Sequence, residues 1–194
     1  MYEFIKGLVA ELTPTYVVID TGGIGYAIHI SLQTYGHIGQ AQEVQLWVHH
    51  ILREDAEQLY GFFDKEEREV FRLLVGVSGV GPNTARMVLS SLSSAEVRSA
   101  ILHEDIQKLQ GIKGIGLKTA NRIVVDLKDR IGKTLLSSGG AGVPLPQAIH
   151  EEALSALIML GFAKTPAEKA IQSLLQETTT YTAEQLIKAA LKRL

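Results

Sequence analysis

Two stretches of this chain carry nearly the same residues 35 positions apart. Leu74, Gly76, Val77 and Gly79-Val80-Gly81 return as Leu109, Ile112 and Gly114-Ile115-Gly116, with Gly111 answering Gly76. Thr84-Ala85 returns as Thr119-Ala120, Val88 as Ile123 and Leu92 as Leu127. A duplication of this length is a structural unit used twice rather than a chance motif. Its chemistry is that of the backbone. A short helix ends, a glycine-apolar-glycine turn reverses the chain, and a second helix starts at once with Thr84 or Thr119 in its first turn. The unpaired N–H groups of such a start, aided by the helix dipole, favour an anion. Glycines allow close approach. Val80 and Ile115 turn inward and pin the turn. The predicted result is a pair of phosphate cradles that hold a sugar-phosphate backbone without reading bases.

Other chemistries fit less well. Gly111 to Gly116 matches the start of a nucleotide-binding loop, and Lys118-Thr119 follows. Leu117 intervenes and breaks the required spacing. The first copy has Pro82 after Gly81 and no lysine there. A base-excising enzyme of similar architecture needs an acid beyond the second turn, but residues 131–150 contain no Asp or Glu. The chain has no cysteine, which excludes thiol catalysis, thiolate-bound zinc and iron–sulfur clusters. The six histidines (His29, His37, His49, His50, His103, His150) lack metal-ligand spacing. His49 and His50, adjacent on a strand, point to opposite faces. His103-Glu104-Asp105 reads as a helix start. Trp47 reads as a barrel core residue rather than a base-stacking platform. The sequence therefore predicts a non-catalytic protein without cofactor or metal.

The cradles need elements to hold them. Residues 1–63 read as β, with runs at Tyr2–Glu11, 17–19, 26–30, 44–48 and 58–63. Thr21-Gly22-Gly23 forms a turn between the second and third. Five short strands in such a span predict a small barrel of OB or SH3 type. Residues 64–133 switch to helices. Asp64 with Glu67 and Ser93 with Glu96 have capping-box spacing. Residues 134–148 are rich in Gly, Ser and Pro and read as a flexible linker, with a reach of about 20 Å. Residues 149–194 predict three helices, one starting at Thr165-Pro166 and one at Thr182. No segment resembles a membrane span or export signal, so the expected location is the cytoplasm.

The net charge of −2 and pI near 6.3 argue at first against a nucleic-acid binder. The distribution reverses that argument. Residues 1–63 carry two basic side chains against seven acidic ones, whereas residues 64–136 carry twelve against nine. Residues 137–194 carry five of each. Lys118 and Arg122, four apart on one helix face, flank the second cradle. Arg53-Glu54-Asp55-Ala56-Glu57 forms an acidic hairpin tip that would repel phosphates.

The repeated unit resembles the helix-hairpin-helix motif of DNA-binding proteins. Arg53-Glu54-Asp55, Leu59-Tyr60-Gly61-Phe62, Gly79-Val80-Gly81-Pro82 and the run Gly111–Ala120, set among a barrel, a linker and a helical tail, resemble the RuvA family. Its members bind Holliday junctions within the bacterial branch migration complex. The resemblance covers the whole chain. It implies an α+β multidomain fold: an OB-fold barrel (1–63), a tandem helix-hairpin-helix domain (64–133), a linker (134–148) and a three-helix domain (149–194). It implies DNA contacts from Gly79, Val80, Gly81, Asn83, Thr84, Gly114, Ile115, Gly116, Lys118, Thr119 and Arg122. Glu54 and Asp55 match the acidic pin that keeps duplex out of the junction centre. Implied partners are four-way junction DNA, the RuvB ATPase through residues 149–194, the RuvC resolvase, and further copies of the chain in a tetramer or octamer. Leu157, Leu160 and Phe162 fit either the RuvB contact or the core of the last domain. A general duplex-binding or repair-nuclease accessory protein is the alternative. The family commonly has a basic residue where Asn83 stands, so the first cradle is expected to hold phosphate more weakly.

Overall fold

The computed structural model describes residues 2–54, 56–137, 146–177 and 181–194. They form two compact units, divided between Thr134 and Leu135.

The first unit begins with a closed five-stranded barrel: β1 (Phe4–Leu12), β2 (Tyr16–Asp20), β3 (Gly25–Ile30), β4 (Glu43–Leu52) and β5 (Glu57–Phe62), in the order β1-β2-β3-β5-β4. Among the described residues only the β3–β5 pairing is parallel. Strand alternation fills the interior with β-branched and leucine side chains, among them Ile5, Val17, Ile19, Ile28, Ile30, Val44, Leu46, Val48 and Leu59. Gly7 is required by close approach. A Cβ there would lie 2.2 Å from the Asp20 carbonyl oxygen on β2.

Trp47 departs from expectation. Its neighbours Leu46 and Val48 are fully buried, so strand alternation turns Trp47 to the outer face. There Lys65 Nζ sits 4.3 Å and the Arg68 guanidinium 5.3 Å from the ring centre, and Phe4 meets it edge-on. A cation–π clamp, not the core, holds it. The sequence reading also omits α1 (Leu32–Ile38), which joins β3 to β4. Ser31 caps it by accepting from Thr34 N.

Five helices follow: α2 (Lys65–Val75), α3 (Pro82–Ser91), α4 (Ser94–Leu102), α5 (Ile106–Gln110) and α6 (Leu117–Ser137). The Ser93–Glu96 capping box forms at α4. At α2 only half of the expected box forms. Asp64 accepts from Glu67 N, but the Glu67 side chain turns away. It lies buried against α1, where Ser31 Oγ donates to one carboxylate oxygen and Thr34 Oγ1 donates to the other at 2.6 Å. His103-Glu104-Asp105 is a junction rather than a single helix start: His103 ends α4 and Asp105 caps α5.

Three further ties join barrel and helices. Buried Arg68 donates to the Glu3 carbonyl at 2.9 Å and to its carboxylate at 2.6 Å. Arg86 on α3 donates to the Thr15 carbonyl at 2.8 Å. Phe71 packs among Tyr60, Phe62 and His49.

This joint has a pH signature. His29 and His49 are half-buried and titrate below the ordinary value of 6.5. Burial is the main cause, followed by Arg86 for His29 and by Arg72 and Arg68 for His49. Such a group contributes stability above its unfolded pKa and loses it as the pH falls towards the folded value. Glu67 has the opposite sign: burial raises it, so protonation below its folded pKa recovers stability and blunts the loss. Melting temperature should fall between about pH 7 and about pH 5, and the pair His29→Gln, His49→Gln should flatten that fall. An undiminished slope in the double variant would exclude these histidines.

Two helices reach into the span expected to be a linker. Helix α6 continues to Ser137, because residues 131–137 bring no proline and only Gly132 as a breaker. Helix α7 (Pro146–Met159) opens inside the predicted linker, with Pro146 at its first position. Residues 138–145 lie outside the described residues. The second unit adds α8 (Lys164–Glu177) and α9 (Ala183–Leu191) around Ala153, Leu157, Ala167, Ile171, Leu174, Leu186 and Ala190. Helix α8 begins at Lys164, ahead of the expected Thr165-Pro166 start. Pro166 falls within the first turn, where no N–H is needed. The Thr182–Gln185 capping box forms at α9.

Candidate nucleic-acid interface

The 35-residue offset holds down to individual hydrogen bonds. In the first hairpin Gly76 N donates to Arg72 O, Val77 N to Leu74 O, Val80 N to Val77 O and Ala85 N to Gly81 O, at 3.2, 3.0, 3.0 and 2.9 Å. In the second, Gly111 N donates to Gln107 O, Ile112 N to Leu109 O, Ile115 N to Ile112 O and Ala120 N to Gly116 O, at 3.1, 3.2, 3.1 and 2.9 Å. Gly79 and Gly114 have φ of 92° and 93°, the left-handed region that glycine tolerates. Val80 and Ile115 are buried in one core with Ala85, Ala120, Val88 and Ile123, as their apolar type demands. The sequence unit is thus two copies of one hairpin.

Each hairpin delivers an open helix start. Gly81 precedes α3 without any side-chain cap, and Pro82 has no N–H to satisfy. Among the described residues no group accepts from the backbone N–H of Asn83, Thr84, Lys118 or Thr119. Gly81 and Gly116 carry a further signal. Neither has a positive φ, and a Cβ on either would meet no atom within 4 Å. Ser, Asp or Asn would cap a helix better there. Nothing inside the protein demands glycine at these two positions. The open space there leaves room for a ligand backbone to approach the helix start.

The side chains follow the expectation unevenly. Lys118 is exposed at the start of α6, and Arg122 stands one turn on, 3.9 Å from Asp126. Asn83 is exposed, but its amide oxygen faces the barrel and accepts from Tyr60 Oη at 3.4 Å. Thr84 and Thr119 are half-buried in the first turns. At the far end of β4, Arg53 N donates to Ala56 O at 2.8 Å and closes a tight turn. Glu54 is exposed at its tip, and Asp55 lies outside the described residues. Among the described residues no group of three or more His, Asp or Glu could hold a metal ion, and no helix is long and apolar enough to cross a membrane.

Known sequences converge on one family. Residues 1–61 match the RuvA N terminal domain, residues 71–129 the SAM-like helix-hairpin-helix tandem, and residues 148–194 the RuvA C-terminal domain. The chain is 50% identical to the Holliday junction branch migration complex subunit RuvA of Bacteroides fragilis. It is 49% identical to that of Bacteroides thetaiotaomicron and 47% identical to that of Christiangramia forsetii. All of each chain is covered in these three comparisons. The chain belongs to the RuvA family.

Within this RuvA-family chain the hairpins, the barrel and the helical tail match the architecture expected from sequence. One cation beside the second hairpin escapes the sequence reading as a candidate site residue. Lys113 is exposed in the second hairpin, next to Gly114. Its signal was its place inside the repeated glycine turn. Arg86 looks like a DNA contact by composition but is spent on Thr15 of the barrel. In the second unit, Leu157 is buried in the core, which removes it as a partner contact. Phe162 packs against that core, and Leu160 is exposed. Ile158 and Met159 are exposed beside Leu160.

Proposed function

We propose that this protein binds four-way DNA junctions by structure rather than sequence and presents them to a motor ATPase for branch migration. The observation that carries the reading is the pair of superposable hairpins whose helix starts are uncapped and whose Gly81 and Gly116 face open space. Each would grip backbone phosphates of one arm through N–H groups, without base readout. The relatives named Holliday junction branch migration complex subunit RuvA support the junction as substrate.

Four arms related by near-fourfold symmetry match a cyclic tetramer of the chain, or two such tetramers face to face. Glu54 and Asp55 would then crowd the crossover with carboxylates, repel phosphates and favour parted strands. The motor is the RuvB ATPase, engaged through residues 149–194, and RuvC acts on the same junction. The chain itself performs no catalysis. It works in the cytoplasm, where chromosomal DNA lies.

A gel shift comparing a four-way junction with linear duplex of equal length tests the reading. Much tighter junction binding is expected, and equal affinities would reject it. Removing residues 146–194 should leave junction binding intact and abolish stimulation of the motor ATPase. Loss of junction binding would refute this division between units.

A further inference from the structure

The two hairpins share a backbone but not a charge. At the 35-residue offset Lys113 corresponds to Ser78, Lys118 to Asn83 and Arg122 to Met87. Every cation around the second grip thus has an uncharged residue at the equivalent place on the first. All six positions are exposed, so the substitutions reflect no packing need. Arg86 is the one cation on α3, and the Thr15 carbonyl holds it against the barrel. The hairpins also differ in attachment. The first is fastened to the barrel that bears the acidic tip, through Tyr60–Asn83 and Arg86–Thr15. Among the described residues no hydrogen bond or ion pair joins residues 111–122 to the barrel.

We infer that the two hairpins divide the work on each DNA arm. The second is an ionic anchor, and the first, on the barrel side, is a neutral guide. This rests on the junction-binding reading above. An ionic anchor holds a backbone tightly and displaces counterions, so its grip depends on salt. A guide made of backbone N–H groups alone positions a phosphate but releases it readily, because no side-chain charge must be parted from it. On the barrel that bears the acidic tip, where strands must slide past the crossover during branch migration, a neutral contact offers less resistance than a lysine. The anchor confers affinity and the guide confers register.

Two triple variants of the full-length chain test this; all six positions are exposed, and the Asn83 change removes the Tyr60 hydrogen bond while the Arg86–Thr15 tie keeps the first hairpin on the barrel. Lys113→Ser, Lys118→Asn and Arg122→Met copies the first hairpin onto the second. It should flatten the dependence of log affinity on log salt by up to about 2.7 for three lost phosphate pairs, at about 0.9 each. Ser78→Lys, Asn83→Lys and Met87→Arg copies the second hairpin onto the first. It should steepen the same slope, tighten junction binding and slow motor-driven branch migration several-fold. Slopes unchanged in the neutralised variant would overturn the anchor. Migration as fast as wild type in the charged variant, despite tighter binding, would overturn the guide. If the wild-type chain shows no preference for a junction over duplex, the parent reading fails instead, and the two failures are separable.

Discussion

Replacing Gly79 and Gly114 together by valine should abolish junction binding while leaving the chain folded. Both glycines have φ near +92°, and a Cβ on either would find no atom within 4 Å, so the branch point of the valine side chain itself meets no clash. The cost is conformational. A β-branched residue in the left-handed region is strained by roughly 1–3 kcal/mol. Each exposed turn can relieve that strain by leaving its conformation. The helix starts then lose their aim. With charge-assisted hydrogen bonds contributing about 1.5–3 kcal/mol each, losing one per hairpin weakens binding by about 100-fold or more. Fluorescence anisotropy with a labelled junction measures the effect, and circular dichroism verifies the fold. Gly81→Ala and Gly116→Ala sharpen the test, since neither has a positive φ or a crowded Cβ. They should melt like wild type yet bind more weakly. Undiminished binding would mean that no phosphate approaches there.

Glu67→Ala should be among the most damaging single substitutions to stability. The carboxylate accepts from Ser31, Thr34 and, at 3.4 Å, from Phe63 N in a buried pocket between α1 and α2. Deleting it strands donors that cannot reach water, at a cost of about 2–4 kcal/mol. Urea unfolding should show the loss as a lower midpoint. Glu67→Gln, which keeps an acceptor, should recover most of it. If alanine and glutamine behave alike, the hydrogen bonds are not what matters there.

Much of this architecture could be read from residue types. The duplicated glycine turn needed no structure, because its apolar and glycine positions each have one reason to exist. The β4 alternation of Val44, Leu46 and Val48 gave the inner barrel face, yet Trp47 was misread. Its apolar ring suggested the core, while the cations that clamp it come from α2, far along the chain. Glu67 was legible as half of a capping box, which is a local signal. Its actual partners lie more than thirty residues upstream, on a helix too short to announce itself. Lys113 was visible as charge inside the repeated turn but not as a site, because only its exposure in the folded hairpin shows that it faces outward. Where an interaction is local, sequence spacing reveals it. Where two segments meet through tertiary packing, spacing is silent.

The repeated hairpin also bears on how such a protein can change. Its fixed parts, the buried Val80 and Ile115 and the left-handed Gly79 and Gly114, are separate from its adjustable parts at Ser78, Asn83 and Met87 and at Lys113, Lys118 and Arg122. The adjustable residues face solvent, so exchanging one leaves the core and the turn untouched. A lineage moving to a saltier or a more dilute cell interior could retune its hold on DNA one surface residue at a time, at almost no risk to folding. On the anchor-and-guide reading the scaffold works as a socket, and its affinity would be set by what is plugged into it.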